Sequence, residues 1–69
     1  MNNDCRIEFS PAFIGQYKCW RFSNPQSAQR TALMFKRQGR DVYLYINDKK
    51  QHLVSVKRGS LNVIEFVDC

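Results

Sequence analysis

A single helix with clear start and stop residues constrains the fold of this chain more than any other feature. Asn24 is a favoured N-cap, and Pro25 suits the first helical position because its missing N–H costs no hydrogen bond there. Gly39 supplies a C-terminal stop, so we predict a helix of about 14 residues over residues 25–38. Its core-facing stripe consists of Ala28, Thr31, Ala32 and Phe35.

Segments rich in β-branched and aromatic residues lie on both sides of the predicted helix. The strands that they predict cover residues 5–9, 12–22, 41–47, 51–57 and 61–67. Gly15 indicates a bulge or a bend within the second strand. The order is therefore ββαβββ, an α+β fold in which one helix packs on one face of an antiparallel sheet of four to five strands.

The hairpin between the third and fourth predicted strands decides which side chains share a face of the sheet. With a three-residue loop, the paired residues are Val42 with Val56, Leu44 with Val54, and Ile46 with His52. The opposite face then holds Tyr43, Tyr45, Leu53, Ser55 and Lys57. Because one helix covers only one face, these exposed side chains predict a ligand, a partner or a homodimer on the second face.

The chain length of 69 residues predicts a single compact domain, 1–69, with one modest core. Its apolar runs are too short to cross a bilayer, and its first residues lack the segments of a signal peptide. We therefore expect a cytoplasmic protein without membrane contact, whose cysteines are reduced and lie in or near the core. A disulfide between Cys5 and Cys19 on oxidation is an alternative, and Cys69 is expected to be exposed.

No catalytic motif is evident in the sequence. The one histidine, His52, has no cysteine close to it, and no HExxH, GxSxG, P-loop or dinucleotide-binding pattern occurs. A Cys–His nucleophile requires Cys5 or Cys19 beside His52 across the sheet, and we rank this enzymatic alternative last. We expect a protein that is not an enzyme and that has no metal site, cofactor or small-molecule substrate.

Basic residues concentrate in the middle of the chain. The whole chain carries a net charge of +5, whereas residues 11–60 alone carry +8 and include interleaved aromatic residues. Basic side chains neutralise phosphates, and aromatic rings on a sheet stack on bases. The candidate binding residues are Lys18, Arg21, Arg37, Arg40, Tyr43, Tyr45, Lys49, Lys50, Lys57 and Arg58.

Two functions are compatible with such a surface. The first is a small basic module that engages nucleic acid or a nucleoprotein complex through its Lys, Arg and Tyr side chains. The alternative is an inhibitor or adaptor that blocks an acidic or nucleic-acid-binding groove of a host protein, because electrostatic steering and a few aromatic anchors also suit protein docking. In size and layout the chain resembles the one-helix, one-sheet proteins that bacteriophages encode against host machines, including anti-CRISPR proteins. That resemblance implies a viral or bacterial setting for the inhibitor.

Overall fold

The computed structural model describes residues 4–11 and 15–69 of the chain. They form the elements β1 (Cys5–Phe9), β2 (Lys18–Phe22), α1 (Pro25–Arg37), β3 (Val42–Ile46), β4 (Lys49–Arg58) and β5 (Leu61–Asp68). The strands make one antiparallel sheet in the order β2-β1-β3-β4-β5, with α1 packed across one face. The predicted α+β class and the ββαβββ order are confirmed.

The core lies between α1 and the strands β1, β3 and β4. Alternation along β1 buries every second residue, so that Cys5, Ile7 and Phe9 face the helix. The remaining buried side chains are Ala28, Ala32, Phe35, Val42, Leu44 and Leu53. Phe9 and Phe35 stack with their ring centres 4.2 Å apart, and Trp20 of the edge strand β2 meets both rings edge-on.

The ends of α1 agree with the local sequence features. The Asn24 side chain accepts a hydrogen bond from the Gln26 N–H at 2.8 Å, and Pro25 begins the helix. The helix ends at Arg37, one residue before the predicted end, and the chain leaves it through Gly39 with a φ of 86°. This left-handed φ favours glycine because a side chain there is strained.

The buried stripe of α1 differs from the predicted one at its margins. Thr31 is only half-buried, and its hydroxyl donates a hydrogen bond to the Ser27 carbonyl at 2.9 Å. Leu33, which does not belong to the predicted stripe, packs against the edge of the core. Ile64 and Phe66 of β5 also pack against this edge of the core and lie near Leu33.

Strand β2 is shorter than the predicted segment 12–22. It begins at Lys18, which pairs with Phe9 at the end of β1. Residues 12–14 lie outside the described residues, and Gly15 lies in a bend. Pro11 removes a backbone donor just beyond β1, which limits how far the ladder between the two strands can extend.

The predicted register of the β3–β4 hairpin is wrong. The loop has two residues, Asn47 and Asp48, and Asn47 adopts a left-handed φ of 56°. Val42 therefore pairs with Leu53 instead of Val56. Because this shift is three residues, an odd number, each β4 side chain lies on the face opposite to the predicted one. The other pairs include Leu44 with Gln51 and Ile46 with Lys49.

This reversal determines the sheet surface opposite α1, which we call the open face. On the three inner strands, its members are Arg6, Glu8, Tyr43, Tyr45, Lys50, His52, Val54, Val56 and Arg58. His52, predicted on the inner side, lies beside Tyr43 instead. The predicted neighbours of the tyrosines on β4, namely Leu53, Ser55 and Lys57, lie on the helix side.

The cysteines differ in their exposure. Cys5 is fully buried in the core, as predicted, whereas Cys19 is exposed, contrary to prediction. Cys69 is exposed, as predicted. Cys5 pairs with Phe22 on the helix side, while Cys19 pairs with Glu8 on the open face. A disulfide between Cys5 and Cys19 is therefore excluded in this fold, because their side chains leave opposite sides of the sheet.

Candidate functional site

The candidate binding residues lie on two different surfaces. On the open face are Arg21, Tyr43, Tyr45, Lys50 and Arg58. On the helix side are Lys18, Arg37, Arg40, Lys49 and Lys57. Only the open face therefore combines candidate cations with the candidate tyrosines.

Three aromatic rings, those of Tyr45, Tyr43 and His52, lie next to one another on the open face and form what we call the aromatic column. Tyr43 pairs with His52 across the β3–β4 ladder, and their rings stack with centres 4.4 Å apart and planes 14° from parallel. Tyr45 follows two residues along β3 on the same face, a separation of about 7 Å in a regular strand. The column thus crosses from β3 to β4, with Lys50 Nζ over both tyrosine rings.

Two cations lie against these rings. The Arg6 guanidinium is 4.1 Å from the centre of the Tyr45 ring, and Lys50 Nζ is 4.6 Å from the Tyr43 centre. Cation–π attraction of this kind holds each charge at a ring face. Hydrogen bonding to Tyr45 raises the pKa of Lys50, so the ammonium stays charged. Burial, followed by hydrogen bonding to Glu8, raises the pKa of Tyr45, so its ring stays neutral.

Asp41 holds the His52 end of the aromatic column. Its Oδ1 lies 2.7 Å from His52 Nε2, and its Oδ2 accepts a hydrogen bond from the Tyr17 hydroxyl at 2.7 Å. The hydrogen bond with His52 and then the one from Tyr17 lower the pKa of Asp41 below its ordinary value. The same contact with Asp41 raises the pKa of Tyr17. Asp41 therefore stays ionised and orients the His52 ring.

The register predicted from sequence does not bring Asp41 and His52 together, because it places His52 on the inner side. With a two-residue loop, His52 lies opposite Tyr43 and diagonal to Asp41 on one face. Asparagine at the first position of a short hairpin loop tolerates a left-handed φ. Asn47 is therefore the residue that indicates a two-residue loop, and this loop length places His52 near Asp41.

The charges of the open face are not all equally available. The ion pairs that involve its arginines are Arg58 Nε with Glu65 at 2.9 Å and Arg6 with Asp4 at 3.8 Å. Among the ion pairs of residues 4–11 and 15–69, none involves Arg21 or Lys50. Arg21 lies opposite Arg6 on the neighbouring strand, so the two arginines and Lys50 flank the tyrosine end of the column.

The Cys–His pair considered from the sequence is not formed. Cys19 on β2 and His52 on β4 are separated by two intervening strands, which corresponds to roughly 14 Å across a sheet. Cys5 is buried on the side of the sheet opposite His52. Within the described part of the chain, no three His, Cys, Asp or Glu side chains are grouped so as to hold a metal ion.

We expect Asp41→Asn to make folding stability less dependent on acid pH. Because its folded-state pKa is lowered, Asp41 stabilises the fold above its ordinary pKa of 3.8, and this contribution is lost as the pH falls through the lower folded value. Both partners are partly exposed, so the contribution at neutral pH should be about 0.5–1 kcal/mol. Urea unfolding from acid to neutral pH should show that the free energies of unfolding of wild type and Asp41→Asn converge at low pH. A difference that stays constant with pH would contradict a stabilising role of ionised Asp41.

No known protein family, curated protein or solved structure matches the chain. No helix among the described residues is long and apolar enough to span a membrane. What the protein binds must therefore be inferred from its own surfaces, of which the open face carries three half-buried rings with two cations against them.

Proposed function

We propose that this protein is a small non-enzymatic module that binds single-stranded nucleic acid on its open face. The observation that carries the proposal is the aromatic column, with Arg6 and Lys50 against its rings. Aromatic rings stack on the bases of single strands, and adjacent cations neutralise the phosphates. The open face offers both kinds of group side by side.

Base stacking uses the ring faces that Arg6 and Lys50 cover in the free protein. Both cations have long, flexible side chains, so an incoming base displaces the charge from the ring and the charge turns to a phosphate. Tyr43 and Tyr45 are half-buried, which orders their rings before binding and reduces the entropy lost on association. Their separation of about 7 Å along β3 accommodates two bases of an extended strand.

Unpaired bases suit this face better than a duplex does. In a duplex the bases stack on one another and offer only their edges, which are read by helices, ribbons or arms that enter a groove. The only helix among the described residues packs on the opposite side of the sheet. The open face is therefore a strand surface, on which splayed bases can lie flat against the rings.

Electrostatics gives the proposal a specific salt dependence. The cations that flank the column are Arg6, Arg21 and Lys50, and three phosphate contacts on a single strand predict a slope of log K against log salt of about −2. The net charge of +5 adds long-range attraction that accelerates the encounter.

Charge reversal at Lys50 tests the proposal. The probes are fluorescein-labelled twelve-nucleotide oligothymidylate and oligouridylate, and the measurement is fluorescence anisotropy at low and moderate salt. We expect micromolar or tighter binding to at least one of them, weakened about tenfold or more by Lys50→Glu. The matched control, Arg30→Glu, makes the same charge change on the exposed side of α1 and should stay within about threefold of wild type.

Two results would overturn this function. One is the absence of binding by the folded wild-type protein at low salt, which would favour the inhibitor that docks on an acidic protein surface. The other is an equal loss in Lys50→Glu and Arg30→Glu, which would mean that only the overall charge of the protein matters.

A further inference from the structure

A groove lies on the helix side of the sheet, between the C-terminal half of α1 and the strand β5. Ile64 and Phe66 form the apolar part of its floor on the sheet, where Ser55 and Asn62 add polar groups. Leu33, Lys36 and Arg37 form the wall on the helix. The volume of this groove is about 640 Å³. It exists because α1 packs over the other strands and leaves the helix-facing side of β5 incompletely covered.

The groove adjoins an unpaired strand edge. Within residues 4–11 and 15–69, β5 pairs only with β4, so its other edge has no neighbouring strand. The Cys69 N–H donates to the Lys50 carbonyl at 3.1 Å, and hydrogen-bonded pairs alternate along an antiparallel ladder. Odd-numbered residues of β5 therefore bond to β4, and the backbone N–H and C=O groups of Ile64 and Phe66 point to the free edge.

The same two residues thus face the groove with their side chains and the free edge with their backbones. A peptide that adds to the edge as a sixth strand would place every second side chain over the apolar floor. The last turn of α1 forms the wall of the groove opposite β5. Lys36 and Arg37 lie there, and neither makes an ion pair among the described residues. These positive charges suit acidic side chains.

We propose that β5 and the groove together bind an extended, acidic segment of a partner protein. The segment pairs with the edge of β5 through its backbone, inserts apolar side chains over Ile64 and Phe66, and directs carboxylates to Lys36 and Arg37. Backbone pairing supplies affinity that does not depend on sequence, while the floor and the cations select alternating apolar and acidic residues.

Charge favours this occupant over a second copy of the chain. Two copies paired through β5 would bring their Lys36 and Arg37 side chains toward one shared cavity, and like charges in such a cavity repel. β5 itself carries only two acidic residues, Glu65 and Asp68, and Glu65 already pairs with Arg58. An acidic segment instead places negative charges beside Lys36 and Arg37, so the contact is attractive.

The proposal is independent of nucleic-acid binding, because the open face and the groove lie on opposite sides of the sheet. Its probe is a fluorescein-labelled nine-residue peptide in which glutamate alternates with phenylalanine and leucine, and its control peptide has lysine at every glutamate. We expect the acidic peptide to bind with a Kd below about 1 mM and at least tenfold more tightly than the lysine peptide.

Two charge-reversal variants test whether the acidic peptide binds in the groove. Arg37→Glu should weaken the acidic peptide about tenfold, whereas Lys18→Glu, the same charge change on the opposite edge strand, should stay within about threefold of wild type. Amide hydrogen exchange at Ile64 and Phe66 should slow at least tenfold when the acidic peptide is bound, because their N–H groups become paired.

Three results would overturn the proposal. The first is binding of the acidic peptide no tighter than that of the lysine peptide, or none below about 1 mM. The second is unchanged exchange at Ile64 and Phe66 in the presence of bound peptide. The third is a concentration-dependent dimer in sedimentation whose formation protects these two amides, which would assign the edge to a second copy.

Discussion

Replacing Phe9 with alanine should lower the free energy of unfolding by about 3–5 kcal/mol, the largest loss that we expect from a single side chain here. Phe9 is 1% exposed, and its ring stacks on Phe35 at 4.2 Å and meets Trp20 edge-on at 5.3 Å. Its removal leaves a cavity beneath α1 where helix and strand backbones cannot close together. Because a core of this size supplies no more than roughly 3–5 kcal/mol, the variant should be largely unfolded at 25 °C.

The measurement is urea unfolding followed by far-ultraviolet circular dichroism, with Phe66→Ala as the matched control. Phe66 undergoes the same chemical change but is only half-buried at the edge of the core, so we expect a loss of about 1–2 kcal/mol. Phe9→Leu keeps most of the side-chain volume and should remain folded. It therefore allows the free energy of unfolding to be measured at this position even if Phe9→Ala is unfolded. Equal losses in Phe9→Ala and Phe66→Ala would contradict this description of the core.

Replacing both Tyr43 and Tyr45 with leucine should weaken binding of a single-stranded oligonucleotide by about thirtyfold or more. Stacking contributes about 1–3 kcal/mol for each base, and two stacked bases give at least 2 kcal/mol. Leucine maintains the apolar cover of the open face, so the fold should persist. Anisotropy with the labelled oligothymidylate, at the salt concentration used for wild type, measures the change.

Tyr17→Leu, the same chemical change at a ring outside the aromatic column, is the control for this double variant. Tyr17 is an exposed aromatic residue whose hydroxyl bonds to Asp41, and its ring does not belong to the aromatic column. We expect its affinity to stay within about threefold of wild type. If the double leucine variant bound as tightly as wild type while Lys50→Glu did not, the tyrosines would not be stacking residues and binding would be purely electrostatic.

The order of elements could be predicted because it depends on local chemistry. Asn24 and Pro25 start the helix and Gly39 ends it through conformational preferences that hold in almost any surroundings. Alternation along β1 is equally local, since one face of that strand contacts the helix. These features require no knowledge of which strands are neighbours.

The site could not be predicted in the same way, because its geometry depends on which residues of β3 and β4 are paired and therefore on which face each side chain lies. A hairpin loop that is one residue shorter than expected moves Leu53 into the core and places His52 beside Tyr43. Lys50 and Lys57 both belong to β4 but lie on opposite faces, because they are seven residues apart and side chains alternate along a strand. The basic residues that form one region of the sequence are therefore divided between the open face and the helix side.

Because the basic residues are divided in this way, locating bound nucleic acid on the protein tests the proposed function directly. Oligothymidylate should be titrated into ¹⁵N-labelled protein while backbone amide shifts are followed. We predict the largest shifts at Arg6, Tyr43, Tyr45 and Lys50, with small changes along α1 and at Lys57. Shifts concentrated at Lys36, Arg37 and Lys57 instead, with the open face unchanged, would contradict the open face as the binding surface.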